Sequence, residues 1–146
     1  MRRRMHIREA ALRATIAELQ RGQEATDGEQ AETTDELSDA DRELLSRLVL
    51  LVKRDMRQAD ISVESLASEL CITRGQLNRR MKAITGLTTQ QYVMRVRMEQ
   101  ARLLLTSHSD LPVSEVGYRC GFADPASFSR AFRQTFGTSP SHFRNQ

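Results

Sequence analysis

Two cysteines and three histidines are all that this 146-residue chain could offer to a disulfide framework or a zinc site. Cys71 and Cys120 stand in separate apolar helical patterns. Neither has a second Cys or a His at ligand spacing, so both read as reduced structural thiols of a cytosolic protein. His6, His108 and His142 share no metal spacing either. No glycine-rich phosphate loop occurs, and no nucleophile has an evident base partner; an enzyme lacks its parts, and neither metal nor cofactor is expected. A run of about 18 apolar residues is also missing. The Met1-Arg2-Arg3-Arg4 start leads into charge and not into an apolar core, which predicts no signal peptide, no spanning helix, no membrane contact and a cytoplasmic location. Period-2 alternation and β-branched blocks are lacking as well, so an all-α fold is the expectation.

What is present is unevenly spread. Residues 1–40 hold six Arg and nine Asp or Glu, net −3, whereas residues 41–146 hold 16 Lys or Arg and 10 Asp or Glu, net +6. A basic body is the electrostatic footprint of a polyanion binder, although many basic proteins bind no nucleic acid. From Gly22 to Asp39 there are seven acids, no Lys or Arg and only Leu37 as a large apolar residue. Such a stretch buries too little to fold alone and reads as a flexible acidic linker over 22–39. Before it, Ile7, Ala11, Leu12, Ile16 and Leu19 recur at helical spacing. They predict a short amphipathic helix within residues 1–21, either a docking or dimerising segment or the remnant of a larger protein.

The body, residues 41–146, carries signals for seven helices. Ser38 and Asp41 start the first, which the apolar pattern extends to about Arg57, and Ser62 precedes a short helix over 63–70. Thr73 with Gln76, and Thr88 with Gln91, have capping-box spacing for helices over 73–85 and 88–107. Pro112 opens another short helix. Asp124-Pro125 starts a helix that Gly137 stops, and Ser139-Pro140 starts the last.

An internal repeat organises these helices. Val63, Leu66, Ala67 and Leu70 match Val113, Val116, Gly117 and Cys120 at an offset of 50, and Leu77, Arg79, Met81, Gly86, Thr88 and Tyr92 match Phe128, Arg130, Phe132, Gly137, Ser139 and Phe143 at 51. Each copy is a short helix, a tight turn and a second helix: one helix-turn-helix over about 41–86, the other over about 112–146. All five Phe lie between 122 and 143, so the second core is aromatic and the first aliphatic.

Gly121-Phe122, Phe128-Ser129-Arg130-Ala131-Phe132-Arg133, Gly137-Thr138-Ser139-Pro140 and Phe143-Arg144 form a long multi-part pattern, and Tyr92-Val93, Arg97-Met98, Ala101 and Leu104-Leu105 add to it. Over residues 41–146 the chain thereby resembles the AraC/XylS family of bacterial transcription regulators. The resemblance implies two homeodomain-like helix-turn-helix subdomains on a long linker helix, binding to double-stranded DNA, and activation through RNA polymerase. The acidic segment and preceding helix resemble the connection between a receiver and an AraC-type output domain in hybrid two-component sensors, which implies an upstream sensor or receiver. Gly117 stands where the family usually has Ala, a difference of about 1 kcal/mol or less in helix propensity. Gly75 stands where a larger base-reaching side chain is common.

On such a scaffold the helices 73–85 and 125–136 enter successive major grooves about 34 Å apart, and the side chains opposite their apolar stripes meet the DNA. Leu77, Met81 and Ile84 point inward on the first, which assigns base reading to Gln76, Asn78 and Arg79, and phosphate contacts to Thr73, Arg74, Arg80 and Lys82. Phe128, Phe132 and Phe136 point inward on the second, which assigns base reading to Ser127 and Arg130, and phosphate contacts to Ser129, Arg133 and Ser139. Backbone N–H groups near Thr73, Asp124 and Ser139 add to the phosphate set. Gln76 has a competing role as a cap, Asn78 as a surface residue, Arg79 as a solvated charge and Arg130 in a salt bridge. Arg97 reads as a structural ion pair, and Tyr92, Phe122 and Phe143 as core. A helical protein-interaction adaptor is the alternative; it explains the repeat, but not the polar clustering on helix 73–85.

Overall fold

The computed structural model describes residues 6–20, 37–58 and 61–145. Among them are eight helices and no strand: α1 (Glu9–Gln20), α2 (Asp39–Arg54), α3 (Val63–Glu69), α4 (Arg74–Thr85), α5 (Thr89–Ser107), α6 (Val113–Arg119), α7 (Pro125–Phe136) and α8 (Pro140–Arg144). The expected seven-helix body is α2 to α8. Most of the expected acidic linker, residues 22–36, lies outside the described residues.

Local capping chemistry sets the helix boundaries. Ser38 Oγ accepts from the Asp41 N–H at 3.1 Å, and Ser62 Oγ from the Ser65 N–H at 3.1 Å. Both capping boxes close: Thr73 and Gln76 exchange bonds of 3.0 and 3.1 Å, Thr88 and Gln91 bonds of 3.0 and 3.2 Å. Gly86 and Gly137 end α4 and α7 at φ +86° and +82°, left-handed values that cost glycine nothing. Two boundaries differ from expectation. Helix α2 stops at Arg54 rather than near Arg57, and a turn follows in which the Gln58 N–H donates to the Asp55 carbonyl at 2.9 Å. At α7, Asp124 holds the N-cap position and Pro125 follows, but the Asp124 side chain makes no capping bond.

The chain divides into two compact units. The N-terminal unit comprises His6–Arg54 and Ser62–Tyr92. Leu44, Leu45, Leu48, Val49 and Val52 of α2 are buried in it, as are Leu66 and Ala67 of α3 and Leu77, Met81 and Ile84 of α4. Helix α1 belongs to the same unit and packs on α2 and α4. Its apolar stripe, expected to await a partner or to hang free, is buried at Ala11 and Leu19. The buried Thr15 hydroxyl bonds the Tyr92 hydroxyl and reaches the Ala11 carbonyl at 2.7 Å, while the Arg8 N–H donates to the Thr85 carbonyl at the end of α4. Packing on α2 and α4 thus covers this part of the stripe within the chain.

The C-terminal unit comprises Asp55–Ile61 and Val93–Gln146. Its core is Met98, Ala101, Leu105, Val116, Cys120, Phe128 and Phe132, with Phe122, Phe136 and Phe143 packed around it. Phe132 is the hub, with ring centroids 5.9 Å from Phe128, 4.8 Å from Phe136 and 5.7 Å from Phe143 in edge-on contacts. Arg97 is buried and donates to three main-chain carbonyls, Met56 at 2.9 Å, Cys120 at 2.6 Å and Gln58 at 2.7 Å, a structural role rather than a DNA contact. Arg144, the last residue of the multi-part pattern, likewise reaches the carbonyls of Leu105, Leu111 and His108 and ties α8 to the end of α5.

The two helix-turn-helix turns share one geometry. The Ile72 N–H donates to the Ala67 carbonyl at 3.1 Å, and the Phe122 N–H to the Gly117 carbonyl at 3.0 Å, each across a left-handed residue. That residue is Gly121 at φ +97° in the second copy and Cys71 at φ +63° in the first. Cys71 is therefore an exposed turn residue and not a core thiol, a correction to the sequence reading. Cys120 is buried, and burial pushes its thiol up to about 12 against the opposing pull of Arg97.

Candidate nucleic-acid interface

Each candidate recognition helix presents its polar side because its apolar side is locked into the core. On α4, Leu77 and Met81 are fully buried and Ile84 nearly so. Arg74, Gly75, Gln76, Arg79 and Lys82 lie exposed, with Asn78 and Arg80 half-buried. On α7, Phe128 and Phe132 are fully buried, Ala126, Arg130 and Arg133 exposed, and Ser127 and Ser129 half-buried.

On α4 the polar side chains are largely engaged within the unit. Gln76 Oε1 accepts from the Thr73 N–H, and Asn78 Oδ1 accepts from the Thr89 N–H at 3.0 Å, at the start of α5. A bidentate grip on adenine uses both the carbonyl and the amide of one side chain. Each carbonyl is engaged within the unit, that of Gln76 in capping α4 and that of Asn78 in tying α4 to α5, and a base contact by either residue would share or exchange that bond. Arg74 pairs with Glu64 of α3 at 2.8 Å, and Arg80 with Asp41 of α2 at 3.3 Å. Thr73 caps its own helix, as Ser139 caps α8 through the His142 N–H at 3.1 Å. Arg79 and Lys82 have no acidic partner among the described residues.

On α7 the corresponding groups are open. Arg130 and Arg133 have no acidic partner among the described residues, so the salt bridge weighed for Arg130 does not form there. Among the described residues, Ser127 and Ser129 make none of the side-chain bonds that tie up Gln76 and Asn78 at the matching repeat positions. Asp124 leaves the first-turn N–H groups without a side-chain cap, and a helix start of this kind attracts anions. The acids that hold Arg74 and Arg80 escaped the sequence reading because they lie on other helices; the Ser62 and Ser38 start signals beside them were the only pointers.

Gly75 and Gly117 have opposite surroundings. A Cβ on Gly75 would meet nothing within 4 Å, so this position of α4 presents bare backbone. A Cβ on Gly117 would lie 2.7 Å from the Phe128 ring. Its glycine is thus a steric requirement of the aromatic core, beyond the propensity effect read from the sequence.

Residues 66–146 match the family model described as "Helix-turn-helix domain". Over 85 residues the chain is 42% identical to the HTH-type transcriptional activator RhaS of Salmonella arizonae, covering 58% of this chain and 30% of that protein. The chain thus spans less than a third of the length of the curated relatives it matches. Among solved structures, the C-terminal domain of AraT, a response regulator from Geobacillus stearothermophilus, is 31% identical with a TM-score of 0.62, covering 76% of this chain and 88% of that one. The DNA-binding domain of the global transcriptional factor AdpA, solved with a target DNA, is 32% identical with a TM-score of 0.60, covering 68% and 88%.

Proposed function

Because the chain belongs to the AraC-type helix-turn-helix family, we propose that it is the sequence-specific DNA-binding part of a transcription regulator that reads double-stranded DNA with α4 and α7. One observation carries this reading: in both units the second helix of the hairpin buries its apolar stripe and turns to solvent cations that have no acidic partner among the described residues, Arg79 and Lys82 on α4, Arg130 and Arg133 on α7. The exposed guanidinium groups among them, of Arg79, Arg130 and Arg133, match guanine O6 and N7 in the major groove.

Arg79 and Arg130 are the proposed base readers, with Ser127 beside Arg130 and the free amide of Gln76 as a weaker donor. Lys82, Ser129 and Arg133, with the open start of α7, hold phosphates, and Arg74 and Arg80 join them once released from their acids. Thr73 and Ser139 contribute through the backbone they order. Each recognition helix reads one major groove, and a chain with two of them covers an asymmetric site of nearly two turns. RNA polymerase, an upstream sensor or receiver, and a cytoplasmic setting complete the proposal. Among the described residues no helix is long and apolar enough to cross a membrane.

Selection of bound sequences from a random duplex pool tests the reading. The expected result is an asymmetric motif of nearly two turns, with log affinity falling steeply as log salt rises. No enrichment and no salt dependence would overturn it in favour of a protein-binding adaptor.

A further inference from the structure

Four cations stand on α4, and two of them are already neutralised by carboxylates from neighbouring helices. Glu64 Oε2 lies 2.8 Å from Arg74 Nη1, with both side chains more than half exposed. Asp41 Oδ1 lies 3.3 Å from Arg80 Nη2, with exposures of 35% and 41%. Neither pair belongs to one helix, so the fold and not helical spacing creates them. The second copy lacks the first pair altogether: by the repeat, Pro125 matches Arg74 and Ser114 matches Glu64. Cation and acid are thus present together or absent together.

We propose that Glu64 and Asp41 are internal stand-ins for phosphate: each occupies one arginine of α4, lowers the affinity of the N-terminal unit for duplex of any sequence, and so leaves discrimination to the base contacts. The proposal rests on the DNA-binding reading. When such an arginine reaches a phosphate, the carboxylate it leaves stays beside the DNA and holds back a cation, so less counterion is released in net. Exposed pairs of this kind are individually weak, so a phosphate can displace the carboxylate. The displaced acid then faces the DNA backbone as a like charge. The main-chain N–H at the start of α3, and after it Arg74, hold the Glu64 carboxyl below its ordinary range, so it stays ionised in competition with phosphate.

The test uses the full chain, the selected duplex and a scrambled duplex, titrated across salt, with Glu64→Gln and Asp41→Asn alone and in Arg74→Ala and Arg80→Ala backgrounds. Both acid variants are isosteric, Glu64 on an exposed site and Asp41 on a half-buried one. Each is expected to tighten binding to both duplexes about three- to tenfold at about 0.1 M salt and to steepen the log–log salt slope by about 0.9, one added phosphate contact. The gain disappears when the matching arginine is also removed. Acid variants with unchanged or weaker affinity overturn the proposal, as does a gain that persists without the arginine, which would mark general repulsion. A wild-type protein that binds neither duplex overturns the DNA-binding reading and this proposal with it; a binding wild type with indifferent variants overturns the proposal alone.

Discussion

The two helix-turn-helix units are copies in backbone and opposites in how they use their side chains. At matching positions the first has Ala67 and Leu77, both buried, and the second Gly117 against the Phe128 ring, where an added methyl group would lie 2.7 Å from it. On the surface, α4 has its polar groups bonded to its own unit through Gln76, Asn78, Arg74 and Arg80, while α7 leaves Arg130, Arg133 and its first turn open. A repeated fold therefore fixes where a recognition helix lies without fixing what it offers to a ligand.

The largest expected break in this comparison is in the aromatic core. Phe132→Ala removes the ring that three others touch and should destabilise the C-terminal unit by about 3–5 kcal/mol in urea unfolding; an unchanged curve would refute the hub role of Phe132. Next comes the compensation between the repeats. Gly117→Ala should cost about 1–3 kcal/mol through contact with Phe128, and adding Phe128→Leu should recover much of it by restoring the first copy's pairing. If the double variant is as unstable as the sum of its single changes, the two positions are not coupled.

Recognition offers a comparison of similar size. Arg130→Ala and Arg79→Ala should each cost about 1–3 kcal/mol on the selected duplex and relax preference at one or two base pairs. Asn78→Ala should instead lower stability by about 1 kcal/mol, the cost of losing a helix cap, with the selected motif unchanged. A changed motif for Asn78→Ala would return that residue to the base readers.

The smallest effect is at the turns. Cys71→Gly, matching Gly121, should stabilise the N-terminal unit by about 0.5–1 kcal/mol by relieving a left-handed residue. In the native protein a thiol reagent should modify Cys71 and spare Cys120. The Cys120 thiol is raised from 9.0 to about 12, so the folded state holds a proton that the unfolded chain has lost. Its contribution is complete below pH 9.0 and falls away as pH climbs towards about 12, the sign for a raised value. Melting temperature followed across that window checks this.

Much of the fold was legible because its signals are local. Caps at Ser38, Ser62, Thr73 and Thr88, stops at Gly86 and Gly137, and apolar residues four apart act within one or two turns of backbone, and the repeat doubled each signal. The site was legible only in outline, as the outward faces of α4 and α7. The engagement of Gln76 was visible as capping-box spacing, but the partner of Asn78 lies 11 residues away and that of Arg80 lies 39 residues away. No periodicity reaches across such separations. The burial of α1 was hidden for the same reason: an amphipathic stripe shows that a surface must be covered, not by what.

By itself, then, the sequence determined the helices, their ends, the duplicated hairpin and the family, since each depends on propensity, capping or a linear pattern. Tertiary structure alone decided that α1 belongs to the first unit, that Cys71 is a turn residue, that Gly117 makes room for a ring, and which cations of α4 pair with acids of other helices. Those outcomes follow from side chains distant in sequence meeting at ångström range, where sterics and charge act on distance in space and not along the chain.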